Sequence, residues 1–323
     1  MIKTMKFFKI IQIIRKIKNF DNIIKNKIWK NRCPTISKKE FIKDIKKAVE
    51  YNTGYAAGKI GASEQYLMYY PIFLKKKSKN KKFEKELIRH ALKQEGVFPA
   101  NLNFCLDYSK FYIDHIKNLD CLGIFYYHNE EEMIKFYKLK NKLISSINQE
   151  PDRSIPNDKK NCYLHCFKDK KILLICPFAK FLKKRANKET FEKVWSKTEK
   201  KWFYPKKIEA LEFPYGFDNK THEKYTNVFN LIEHLKNEIQ KKDFDIALIA
   251  AAGIAVPLAS YIKSIGKIGI SLGGHLQILF GVYGKRWEEK KEYQKNYFNE
   301  NWIKLPNKYK PKQTDVCDDG AYW

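Results

Sequence analysis

The sequence predicts an α/β protein: a mostly parallel, Rossmann-like sheet flanked by helices. Three observations carry the fold class. Short apolar runs such as YAAGKI, KKILLICPF, FDIALIAAAG and KIGIS recur along the chain, each bounded by turn residues. Segments with apolar residues at helical spacing separate them. Several runs end in small residues (GAS, AAAG, LGG), as strand-to-helix turns at ligand sites do. Strand and helix in alternation are the mark of a sheet built from crossover units.

The elements follow in order. Residues 1–35 read as a basic N-terminal extension. In MIKTMKFFKIIQIIRKIKNF, Phe7, Phe8, Ile11 and Ile14 fall near a helical period, with Lys6, Lys9, Arg15, Lys16 and Lys18 between them. Two readings stay open: a basic amphipathic helix in peripheral contact with an anionic membrane, or a helix or arm belonging to the protein body. There is no small-residue cleavage site, so a signal peptide is not expected. No apolar run reaches 18 residues, so no membrane-spanning helix is expected either.

Residues 36–323 read as one Rossmann-like domain with helical insertions. Residues 36–51 predict a helix capped by Ser37, with Phe41, Ile42, Ile45 and Val49 as its apolar stripe. YAAGKI predicts the first strand, GAS a turn and EQYLMYYPIF a helix. A long helical stretch is expected over 81–120, a strand over 121–127, and a helix in EEEMIKFYKLKNKLI (130–144). QEPDRSIPNDKK reads as a loop. KKILLICPF is a buried strand ended by Pro177, and 178–195 a helix. The rhythm then repeats, with a strand at 207–214, a helix at 222–242, the strand of FDIALIAAAG, a helix beyond Pro257, and the strand of KIGISLGG.

The formal net charge is +28, yet only six of the 64 basic residues are arginine, the side chain suited to bidentate phosphate and base contacts. The lysines are spread along the chain rather than gathered into a stripe, so nucleic acid is not the expected ligand. The seven cysteines (33, 105, 121, 162, 166, 176, 317) form no regular framework. Cys162, His165 and Cys166 lack the paired spacing of a structural zinc site. Free thiols in a reducing cytoplasm are expected.

Three strand ends carry candidate chemistry. In GKIGASE, Gly58 and Gly61 relax the backbone and Glu64 opens a helix, either as a capping carboxylate or as a ligand for a metal or a sugar hydroxyl. In ALIAAAGIAVP, Ala252 and Gly253 are small enough for a ligand to approach backbone amides at a helix start. Tight packing is the other reading there, and the segment is neither a dinucleotide fingerprint nor a phosphate loop. In SLGGHLQILFGVYGKRW, Gly273 and Gly274 expose His275 and Gln277, and Gly281 and Gly284 precede Lys285, Arg286 and Trp287. The two cations suit a diphosphate. Trp287 suits stacking on a base or sugar, or plain packing. His275 and Glu64 both qualify as the proton acceptor. Asp318 and Asp319 are further acidic candidates on a tail that folds back, or a solvated pair.

The ordered set GKIGASE, KKILLICPF, FDIALIAAAGIAVPLASYIKSIGKIGISLGGHLQILFGVYGKRW and the terminal CDDGAYW resembles the bacterial glycosyltransferases of the GT-D fold and their uncharacterised relatives. The resemblance spans most of residues 50–323 and is most specific over 243–287. It implies transfer of a sugar from a nucleotide-sugar donor to a glycan or glycosylated acceptor; the free thiols place the expected location in the cytoplasm, and the basic extension allows the inner face of the membrane. The resemblance also implies a Mn²⁺ or Mg²⁺ site on an Asp-x-Glu motif, of which this chain keeps Glu64 and has Ala62 in place of the Asp. That departure keeps a second reading open, a noncatalytic nucleotide- or glycan-binding protein on the same scaffold.

Overall fold

The computed structural model describes residues 21–77, 80–151, 162–198, 200–313, 316 and 320–323. The Phe7–Ile14 stripe, Cys317, Asp318 and Asp319 lie outside the described residues.

The chain opens with helix α1 (residues 21–32), then α2 (Lys38–Glu50), β1 (Tyr55–Lys59), α3 (Glu64–Lys75), α4 (Lys81–Lys93) and α5 (Leu102–Lys117). Next come β2 (Cys121–Ile124), α6 (His128–Tyr137), β3 (Lys142–Ser145), α7 (Ser146–Gln149), β4 (Lys171–Ile175), α8 (Ala179–Arg185) and α9 (Lys188–Val194). The second half holds β5 (Lys207–Leu211), α10 (Asn219–Lys224), α11 (Val228–Gln240), β6 (Ile246–Ile249), α12 (Ala255–Ser264), β7 (Ile268–Ser271) and α13 (His275–Leu279). It closes with β8 (Val282–Tyr283), α14 (Lys285–Glu288), α15 (Lys291–Asn296) and β9 (Ile303–Lys304).

Helix starts follow side-chain chemistry. Ser37 accepts from the Glu40 amide at 3.1 Å, as its sequence position predicts. Asn101, Asn187 and Asn227 do the same for α5, α9 and α11 at 2.9–3.1 Å. Each satisfies a backbone N–H that the helix cannot.

Seven strands form one parallel sheet in the order β3-β2-β1-β7-β6-β4-β5. β8 and β9 make a separate two-stranded ribbon. Strand side chains alternate between two cores. Ala56, Leu173, Ile175, Ala247 and Ile249 join the residues of α3, α4, α5, α11 and α12 on one face. Tyr55, Ala57, Ile172, Leu174, Ile246 and Leu248 join α2, α8, α9 and the α13–α15 region on the other. Burial on both faces is why the strands read as continuous apolar runs. Gly269 lets α12 lie close, since a Cβ there would stand 2.8 Å from the Ala259 carbonyl oxygen.

Four expected helices break; the 222–242 segment is parted at residues 225–227, where Asn227 caps α11. The 81–120 stretch is two helices, parted near Gly96, whose φ of +65° leaves the helical region. The 130–144 segment ends as a helix at Tyr137, where Lys138 takes a left-handed φ of 52°, and its last residues form edge strand β3. The side chain of Asn141 holds that turn by donating to the carbonyls of Ile116 and Leu119. The 178–195 segment is parted by Asn187, which caps α9. Extended pairing also stops at Ile124 rather than 127.

The crossovers position the site. β1 and β6 lead into α3 and α12 on the first face, while β4 and β7 lead into α8 and α13 on the second. Loops leaving neighbouring strands for opposite faces open a crevice at the C-terminal edge of the sheet. Among the described residues, no helix is long and apolar enough to cross a membrane.

Candidate functional site

The crevice holds a cavity of about 1180 Å³, lined by the ends of β1, β4, β6 and β7, the loop after β2, the segment after β3, and the last two residues of the chain. Its polar floor has two parts.

The first is built on Glu150. Its Oε1 meets the Lys59 ammonium at 2.8 Å and His275 Nε2 at 3.0 Å. The three side chains are 5–13% exposed, so the charges interact with little help from water. Burial alone would push the Glu150 carboxyl up. The charges of His275 and Lys59 outweigh it and hold the carboxyl well below the usual range. Three distant segments supply this cluster: the last residue of β1, the residue after α7, and the first residue of α13.

The second part is a carboxyl pair. Glu64, at the start of α3, hydrogen-bonds Glu95, which lies in the break between α4 and α5. Burial pushes Glu64 up from the ordinary carboxylate value, opposed by the amides of Glu64 itself and Gly61, by Glu95 and by the Lys59 charge. Gly61 has no room for a side chain because the Glu64 carboxylate occupies that space. Gly253 packs as tightly on Glu95, with a Cβ position 2.8 Å from the Glu95 Cβ. The hydroxyls of Tyr108 and Tyr112 are pushed up by burial and by the charges of Glu64 and Glu95 beside them.

The mouth is cationic and aromatic. Lys27 and Lys30 of α1, with Arg286 and Lys290, line it together with Tyr126, Tyr127 and Tyr322. Arg286 stacks on the Tyr322 ring at 4.9 Å and donates to its hydroxyl at 3.0 Å. Tyr126 and Ala252, both lining the cavity, have left-handed φ values of 64° and 42°. Non-glycine residues there carry backbone strain, which concentrates at ligand sites.

Of the residues singled out in the sequence, Gly61, Glu64, Ala252, Gly273, Gly274, His275, Gln277, Arg286 and Trp287 line this one cavity. Gly58, Gly253 and Lys285 stand outside its lining. Gly58 packs against Val256 and Leu119, and Lys285 is exposed. The amides of Gly253 and Gly273 are taken by the carbonyls of Glu95 and Ile249, at 3.2 Å each. Trp287 is 1% exposed and packs edge-on to His275 and Tyr322, so the packing reading holds for it. Gln277 donates to the Tyr322 carbonyl at 3.0 Å. Gly274 and Gly284 make room for the chain's own Tyr322 and Trp323.

Sequence reasoning missed Lys59, Glu95, Glu150, Lys27 and Lys30. Lys59 was visible as the charged end of an apolar strand. Glu95 and Glu150 carried no signal, since one sat in a stretch read as helix and the other in one read as loop.

Among the described residues, no group of three or more His, Cys, Asp and Glu side chains is placed to hold a metal ion, the Cys162–Cys166 segment included. The six described cysteines are free thiols. The pair Glu64 and Glu95 fits a Mg²⁺ or Mn²⁺ ion that completes its shell with water and substrate phosphate, which Mg²⁺ commonly does. It does not make a closed protein site. No protein-family model, curated protein or solved structure matches the chain.

Proposed function

We infer that the protein is a glycosyltransferase that moves a sugar from a nucleotide-sugar donor to a hydroxyl of a glycan or glycosylated acceptor. One observation carries this: a carboxylate-bound histidine and a buried carboxyl pair share a single cavity whose mouth is cationic. Its 1180 Å³ suits a ligand of nucleotide-sugar size.

In this reading His275 is the general base. The Glu150 carboxylate orients its ring and stabilises the imidazolium that forms, so Glu150 is a positioning residue. The acceptor hydroxyl loses its proton to His275 as its oxygen bonds the anomeric carbon. The bond from that carbon to the donor phosphate oxygen breaks, and the nucleoside diphosphate leaves with the electron pair. Lys59 and the cations at the mouth offset the charge gathering on the departing oxygens. A divalent ion on Glu64 and Glu95 would supply further neutralisation when bound. Glu64, whose carboxyl burial pushes up from the ordinary value, faces the same cavity. Under this reading the protein works in the cytoplasm or at the inner face of a membrane.

Ala62 in place of an acidic residue favours a second reading, a noncatalytic binder of nucleotides or glycans. Thermal shift against a panel of UDP-, GDP-, CMP- and dTDP-sugars, with and without Mn²⁺ or Mg²⁺, followed by a donor-hydrolysis assay, separates the two. Selective stabilisation with turnover that His275→Ala abolishes supports the transferase. Selective stabilisation without turnover supports the binder. No selective stabilisation of folded protein overturns both.

A further inference from the structure

Helix α1 buries one face and carries two exposed isoleucines on the opposite one, beside Asn31 and Lys27. Asn22, Asn26 and Trp29, spaced four and three apart, turn inward, and Trp29 is 5% exposed and donates to Glu130. By the 3.6-residue period, Ile24 and Ile28 fall on the far side. They are 43% and 48% exposed, and Ile23 beside them is 61% exposed. A helix whose only neighbour is the protein body has polar residues there. The cations Lys27 and Lys30 of α1 flank the stripe, with Lys25 paired to Asp21 and Arg32 to Glu131. Asp21 is the sole acidic residue in the first 32, against ten Lys and Arg.

Lys27 and Lys30 also line the cavity mouth, where Tyr127 and Ile147 are exposed as well, at 37% and 50%. Apolar and cationic groups therefore share the side of the molecule on which the cavity opens. An isoleucine stripe bordered by lysines matches the interface of an anionic bilayer, where apolar side chains enter the acyl boundary and ammonium groups meet headgroup phosphates.

We propose that α1 seats the protein on an anionic lipid surface through Ile24 and Ile28, with the cavity mouth beside the headgroups. This goes beyond the transferase reading and does not depend on it, because docking needs no donor or turnover.

The test is flotation of the full chain with vesicles of phosphatidylcholine alone, or with 30% phosphatidylglycerol, at low and high salt. The expected result is binding to the anionic vesicles, weakened by salt, and at least tenfold weaker for Ile24→Asp/Ile28→Asp. Circular dichroism checks that variant's fold, and Ile24→Ser/Ile28→Ser is the second variant. No binding by the native chain overturns the proposal. So does equal binding by the folded variants, which would assign the lipid contact to other cations. A native dimer that the variants make monomeric also overturns it, by showing that the stripe is a self-interface. Stronger binding to an oligonucleotide, unchanged in the variants and released by salt, would mark a nucleic-acid face instead.

Discussion

The Nε2 of His275 lies 3.0 Å from Oε1 of Glu150, across 125 residues of chain, and the same oxygen meets the Lys59 ammonium at 2.8 Å. One carboxylate thus holds an ammonium group and an imidazole ring at the floor of the cavity. Removing it leaves both facing a poorly hydrated space. Glu150→Gln is expected to lower stability by about 3 kcal/mol, the order found when one partner of a buried pair is removed. Urea unfolding of the variant against the native chain measures this. A loss under 0.5 kcal/mol would mean that water screens the cluster.

Glu130 sets a pH dependence of the fold. Burial pushes its carboxyl up to about 7, against the amides of Phe125 and Tyr127 and the Trp29 indole that bond it. A folded-state value above the unfolded one means that the contribution is complete below about 4.5 and is lost as pH rises through 7. The loss is on the order of 3 kcal/mol across that window. Melting temperature should therefore fall between pH 5 and 8 by more in the native chain than in Glu130→Gln. Parallel curves would show the carboxylate to be ionised throughout.

Glu150 acts in the opposite direction. Its carboxyl is held low, so the stability that it lends is present above the ordinary carboxylate range and disappears as pH falls below it. Acid unfolding of Glu150→Gln should begin from a lower plateau and show a shallower dependence below pH 4 than the native chain. Identical acid limbs in the two proteins would contradict the ion pair.

The glycines of the 273–284 segment differ in purpose, and substitution separates them. Gly273 has a φ of +56° with open space around it, so Gly273→Ala is expected to cost about 1–2 kcal/mol in backbone strain and leave the C terminus in place. A Cβ on Gly284 would run into the backbone of Tyr322 and Trp323, which cannot swing aside as a side chain can. Gly284→Ala should cost about 1–3 kcal/mol and expose Trp323, read as a red shift in tryptophan emission. An unshifted spectrum would show that the tail is not held there.

For the transferase reading, His275→Ala should lower kcat by about 10²–10⁴-fold, the range for loss of a general base. Donor affinity, measured calorimetrically, should change little. Turnover that survives the substitution would move the role of base to another group in the cavity.

Much of the scaffold was legible in sequence. YAAGK, KILLI, IALI and IGIS announce strands because a parallel sheet covered on both faces admits apolar side chains at every position. Ser37 marks a helix start because its hydroxyl answers a local amide. GASE and LGGH mark the working edge, since small residues end strands where loops turn over the sheet. These are short-range effects, and a sequence records them directly.

The site's charge arrangement is long-range, and only the tertiary structure decided it. Glu95 reaches Glu64 because the helix breaks near Gly96, and Glu150 reaches Lys59 and His275 because three separate crossovers end at one edge. Gly274 and Gly284, which in sequence suggest space for a ligand, make room for Tyr322 and Trp323. Backbone preference and periodicity depend on a residue and its near neighbours. Whether a carboxyl is paired, protonated or charged depends on which distant groups the fold places within a few ångströms of it.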